Sequence, residues 1–208
     1  MLLADEYWLL AYDDRTGKPR VSGGMRGLGL AAALIGELIP DGNVVVQNGY
    51  LHARARELPP DRLSHDVLAQ MLAEPQRHPI RAWLLFLGRT AHDAVAERLV
   101  GQEILRPRTS RKLLKQLVTY EPLDANRVAW PMARLATALR RQSPVDEPDA
   151  VLTGLAAATG LDQLMLRGAE PAAKEYLAYV VSTLSTPYHT LVKHTEAVVG
   201  DTVLSRRV

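Results

Sequence analysis

The run Ser22-Gly23-Gly24-Met25-Arg26-Gly27-Leu28-Gly29-Leu30 holds the residues best suited to chemistry with an anion. Glycines let backbone N–H groups approach a phosphate, and an arginine in the first turn of a helix adds a planar fork of donors. The run has no Gly-Lys-Ser/Thr, so it lacks the lysine and the magnesium-binding hydroxyl of a nucleotide phosphate loop. Gly27-x-Gly29-x-x-Ala32 has the outline of a dinucleotide fingerprint. That fingerprint needs a buried strand before it, and Lys18-Pro19-Arg20-Val21 makes a poor one. Glycines that allow a tight helix start and close packing explain the run better. Arg26 itself reads either as an anion ligand or as the partner in a structural salt bridge.

Other reaction chemistry finds little support. With no cysteine, thiol nucleophiles, disulfide frameworks, zinc ribbons and iron–sulfur sites are excluded together. None of the six histidines has the i, i+4 partner and intervening glutamate of a helical zinc site, and His189 and His194 lie five apart. No serine sits in a Gly-x-Ser-x-Gly elbow. Asp13-Asp14 reads as a charged turn after a helix. The expectation is a protein that is not an enzyme and needs neither metal nor cofactor.

Charge gives a more positive signal. Residues 101–141 carry nine basic and three acidic side chains, a local charge of +6 on a chain whose total is +2. Such a segment on an otherwise acidic chain suits an anionic partner, either a phospholipid surface or nucleic acid. Nucleic-acid modules usually add stacking aromatics, and only Tyr120 and Trp130 are nearby. The competing reading is a solvated face whose charges scatter in three dimensions.

The elements that must position these residues are mostly helical. Apolar residues make up 47% and charged residues 23% of 208, which fits one globular domain over residues 1–208. The periodicity predicts helices over about 2–12, 24–38, 61–72, 80–87, 90–100, 125–141, 148–159, 161–166, 170–184 and 187–199. Pro131 should mark a first turn or a kink. Asn48-Gly49 between two strand-like runs predicts a tight hairpin. Residues 104–106 and 117–120 suggest a second, basic hairpin. The fold class is therefore mainly α: a compact helical domain around a central apolar helix, with short β-hairpins. The apolar stretch from Gly27 to Gly36 is too short to span a bilayer, and no basic leader precedes it.

The order of pieces resembles the Golgi phosphoprotein 3 family in a bacterial, actinobacterial version. The matching pieces are an apolar N-terminal helix ending in an Asp-rich turn, Gly24-Met25-Arg26-Gly27, Glu37-Leu38, Trp83-Leu84, Ala96-Glu97-Arg98-Leu99 and Glu103-Ile104-Leu105. The resemblance implies a helical domain with hairpins on one face, acting as a non-enzymatic adaptor that binds phosphatidylinositol 4-phosphate at a membrane surface. It implies a pocket made by a tryptophan just before Gly-x-Arg-Gly, the arginine within it, and an Arg-x-x-Arg pair before Glu-Arg-Leu. Arg26 matches the motif arginine. Residues 17–23 contain no tryptophan, and the paired positions are Asp93 and Ala96. Replacement donors are expected from Lys18, Arg20, Arg89, Arg106, Arg108, Arg111 and Lys112; Leu113, Leu114 and Leu117 beside them read either as lipid contacts or as one packed side of a strand or helix. The expected partners are anionic phospholipid head groups and a protein client, with a homo-oligomer through the second hairpin and no nucleic acid. The expected location is cytoplasmic and peripheral to the membrane; the alternative is a nucleic-acid-binding module using residues 101–141.

Overall fold

A computed structural model describes residues 1–14, 16–74, 76–112 and 115–205, without the side chains of 110–112 and 115–117. The chain runs α1 (Leu3–Leu10), α2 (Gly23–Glu37), β1 (Val44–Gln47), β2 (Tyr50–Ala53), α3 (Arg62–Ala73), α4 (Ile80–Leu87) and α5 (Ala91–Gly101). It continues β3 (Leu105–Lys112), β4 (Lys115–Pro122), α6 (Ala125–Arg141), α7 (Glu147–Ala158), α8 (Asp162–Met165), α9 (Pro171–Ser182) and α10 (Thr186–Leu204). The described residues are mainly α, and their two small sheets are both antiparallel hairpins.

α2 is the axis of the core. Every residue from Gly27 to Gly36 is buried, and α1, α3, α4, α5, α7 and α10 all pack around it. Its start is set by Ser22, whose side chain accepts a hydrogen bond from the Met25 N–H at 3.5 Å. The glycines of the opening run let the helix approach its neighbours. A Cβ on Gly27 would lie 2.3 Å from the Gly88 carbonyl oxygen, and one on Gly29 would lie 2.0 Å from the Tyr7 hydroxyl. Among the described residues no strand precedes α2, and these glycines serve close packing.

The first hairpin pairs Gln47 with Tyr50 around Asn48 (φ 52°) and Gly49 (φ 77°), the two positive angles its tight turn demands. The second is longer than its sequence signal. It pairs Leu105 with Pro122 at the base and extends to Lys112 opposite Lys115. Thr109-Ser110-Arg111-Lys112 and Lys115-Gln116 hold no apolar residue, so no apolar alternation marks them as strand. Leu113 and Leu114 lie outside the described residues, as do the side chains of Arg111, Lys112 and Leu117. α6 runs through Pro131, which is buried in its interior and does not open its first turn. α10 reaches Leu204, five residues past its expected end.

Candidate functional site

Two motif arginines stand at the two ends of α2's surroundings, and the structure treats them differently. Arg98 comes from the apolar face of α5, seven residues after Ala91 and three after Val95. Its guanidinium is sealed among three carboxylates. Nε donates to Asp5 Oδ1 at 2.7 Å, Nη2 to Glu37 Oε1 at 3.0 Å, and Nη1 to Glu37 Oε2 at 3.0 Å and Asp61 Oδ2 at 2.8 Å. The Arg98 side chain is 6% exposed, Glu37 4% and Asp5 0%. The carboxylates have further donors: the Ala4 N–H and Ser64 Oγ bond Glu37, Ser64 Oγ also bonds Asp61, and Gln102 bonds Asp5. Burial pushes the Glu37 carboxyl above its usual range, against the pull of Arg98. For Asp61, burial is outweighed by the Ser64 N–H and Arg98, which hold it low. The same carboxylates outweigh burial at Arg98 and fix its charge. This cluster ties α1, α2, α5 and the cap of α3 together. It is structural, and sequence reasoning missed it.

Arg26 is half-buried and has no such partners. Its guanidinium carbon lies 4.9 Å from the centre of the Tyr12 ring. Its one hydrogen bond runs from Nη1 to the Val21 carbonyl at 3.4 Å, and its Nε is buried with no acceptor. No carboxylate pairs with it among the described residues. The ring beneath belongs to a cluster: Trp8 stacks on Tyr12 at 4.1 Å, and Tyr120 of β4 meets the Trp8 ring edge-on at 5.9 Å. The Trp8 indole N–H is also buried without an acceptor. Arg26 and the base of the second hairpin thus meet on one aromatic cluster. The i, i+4 spacing of Trp8 and Tyr12 was the available signal for it.

A hydrogen-bond chain closes the other side. His92 Nδ1 donates to Asp93 Oδ1 at 2.7 Å, which leaves Nε2 to accept from the Tyr12 hydroxyl at 2.5 Å. Burial raises Tyr12 to about 12, with Arg26 pulling it down and Asp93 pushing it up. Of the paired arginine positions implied by the resemblance, Asp93 therefore places a negative charge at the site. The other, Ala96, is buried and offers no polar group.

The remaining sequence candidates scatter. Arg20 is held by Asp14 at 2.8 Å and Asp13 at 3.5 Å, so its charge is balanced within the turn. Lys18 is exposed on the same turn. Arg89 lines a separate groove with Gly24, Leu28 and Leu84. Arg106 and Arg108 are exposed and share Glu121, the first at 3.4 Å. Those bonds outweigh everything else at Glu121 and lower its pKa. Among the described residues no group of three or more His, Asp or Glu side chains could hold a metal ion, and no helix is long and apolar enough to cross a membrane.

A family model described as Golgi phosphoprotein 3 (GPP34) matches residues 3–194, nearly the whole chain. No curated protein matches it.

Proposed function

We propose that this chain, which belongs to the Golgi phosphoprotein 3 family, is a peripheral, non-enzymatic adaptor that attaches to anionic phospholipid head groups around Arg26. The observation that supports this reading is the unspent guanidinium. Arg26 is held in place by Tyr12, yet it has one weak acceptor and a buried Nε without any. A guanidinium with so few acceptors keeps donors to spare, and a phosphate oxygen beside its Nη groups would use them. The free N–H groups at the start of α2 favour an anion at the same end.

Selectivity among head groups should be weak. Asp93 repels phosphate where a second arginine would attract it, and Arg20 is already neutralised. What remains is diffuse attraction by Lys18 and by Arg106 and Arg108, whose two charges are offset by one at Glu121, about 1 kcal/mol for each net charge near the surface. The test is vesicle sedimentation at matched surface charge, with phosphatidylinositol 4-phosphate in one set and phosphatidylserine in the other. Salt-sensitive binding to both, lost in Arg26→Ala, is the expected outcome. No binding to either at low salt would defeat the reading. Displacement by DNA at equal phosphate concentration would favour the nucleic-acid alternative instead.

A further inference from the structure

A second recognition feature lies away from Arg26. Between the end of α3 and α4 is a cavity of about 380 Å³, walled by Ala73, Ala82, Trp83 and Phe86, with Glu74 and His78 on its polar side. Trp83 is 5% exposed and so is fixed by the core, whereas Phe86 is 51% exposed. The Phe86 ring stands at 83° to Trp83 with centroids 5.8 Å apart, and the His78 ring stands at 85° with centroids 5.9 Å apart. Two rings standing perpendicular to a third make a corner of aromatic surface. Glu74 reaches His78 Nε2 at 3.3 Å, and among the described residues no lysine or arginine pairs with it.

We propose that this corner binds a quaternary or methylated ammonium cation, seated against Trp83 and Phe86 with the Glu74 carboxylate as its counter-charge. Aromatic faces carry negative quadrupole density and attract a weakly hydrated cation, whose methyl groups also favour an apolar wall. A neutral alkyl guest would gain the wall but nothing from Glu74. An anion would meet that carboxylate. Among the described residues no lysine or arginine lines the cavity; Arg77 lines the adjoining hollow, which shares Glu74 and Trp83. The volume lies within the range of small-ligand pockets. None of these residues takes part in the Arg26 site, so the two proposals stand or fall separately.

Calorimetry with choline chloride tests it directly. The comparison ligand is the neutral alcohol in which carbon replaces the choline nitrogen. Choline is expected to bind with a dissociation constant on the order of 1 mM, and the neutral alcohol about tenfold more weakly. Glu74→Gln and Phe86→Leu should each weaken choline binding about fivefold or more while the helical circular dichroism stays unchanged; Arg26→Ala should leave it as it was. Equal affinity for the two ligands, or no saturable choline binding, overturns the proposal. Sedimentation with phosphatidylcholine vesicles assigns the source: binding that depends on Phe86 points to a lipid head group, and its absence beside choline binding points to a free small molecule.

Discussion

Arg98 and Arg26 belong to two of the motifs that carry the family resemblance, and their surroundings could hardly differ more. Arg98 spends its guanidinium on four bonds to three carboxylates and is shut away from water. Arg26 rests on a tyrosine ring with one long bond to a carbonyl. The count of satisfied donors separates the two motif residues: one is used up by the fold, the other is not. The same count separates Arg20, already neutralised, from the exposed Lys18.

The largest effect should come from breaking the first arginine. Arg98→Ala leaves Asp5 and Glu37 buried without their counter-charge, a loss of about 3–5 kcal/mol. Urea denaturation should show a midpoint shifted far down, or no folded protein at all. A stable Arg98→Ala protein would erase the contrast.

Next is Gly27→Ala, beside the second arginine. Its methyl would meet the Gly88 carbonyl at 2.3 Å, so α2 and α4 must part. Overpacking of this kind costs about 1–3 kcal/mol, read by thermal unfolding. Arg26→Ala, one residue away, should cost no more than about 1 kcal/mol while removing vesicle attachment. A loss of stability as large as that of Arg98→Ala would make Arg26 structural too.

Alkaline titration sharpens the contact between Arg26 and Tyr12. Tyr12 ionises at about 12 in the folded chain against 10.0 for an ordinary tyrosine, because burial disfavours its anion. Its folded value is the higher one. The stability it contributes is therefore intact below about pH 10 and lost as pH rises through 12. Tyr188, also raised to about 12 by burial, acts in the same sense. Removing Arg26 takes away the cation that favours the Tyr12 anion. Ultraviolet difference spectra should then show one tyrosine ionising at still higher pH. An unchanged titration would mean that the two groups are not in contact.

The smallest effects belong to the second hairpin. Arg106→Ala or Arg108→Ala breaks an exposed, solvent-screened pair with Glu121 and should leave the thermal midpoint almost where it was. Glu121→Gln should strengthen attachment to anionic vesicles, because it frees both arginines. Weaker attachment would show that the pairing aims them.

Most of the helices were legible because local signals agreed with the tertiary need. Ser22, Asp61 and Asp124 cap α2, α3 and α6 with side-chain bonds, and Asn48-Gly49 dictates its own turn. The length of the second hairpin was not legible, since Thr109-Ser110-Arg111-Lys112 and Lys115-Gln116 offer no apolar period to read. Arg26 was legible as a candidate through its motif. Its aromatic support was not, because Tyr12, His92 and Tyr120 come from three distant segments. The Arg98 cluster left one trace: a charged residue on the apolar face of α5. Its partners are 93, 61 and 37 residues away in the chain, beyond the reach of any local pattern.

Those separations carry a kinetic consequence. The cluster gains its energy only after loops of this length have closed, and each closure costs chain entropy before the bonds repay it. Its contribution should therefore lie on the native side of the folding barrier. A conservative Arg98→Lys change, which keeps the charge but cannot fork to three carboxylates, is expected to steepen the loss in one direction. In stopped-flow chevrons the unfolding limb should rise by an order of magnitude or more while the folding limb barely moves. Arg98 would then act as a latch on the time the domain stays folded rather than as a guide to how it folds.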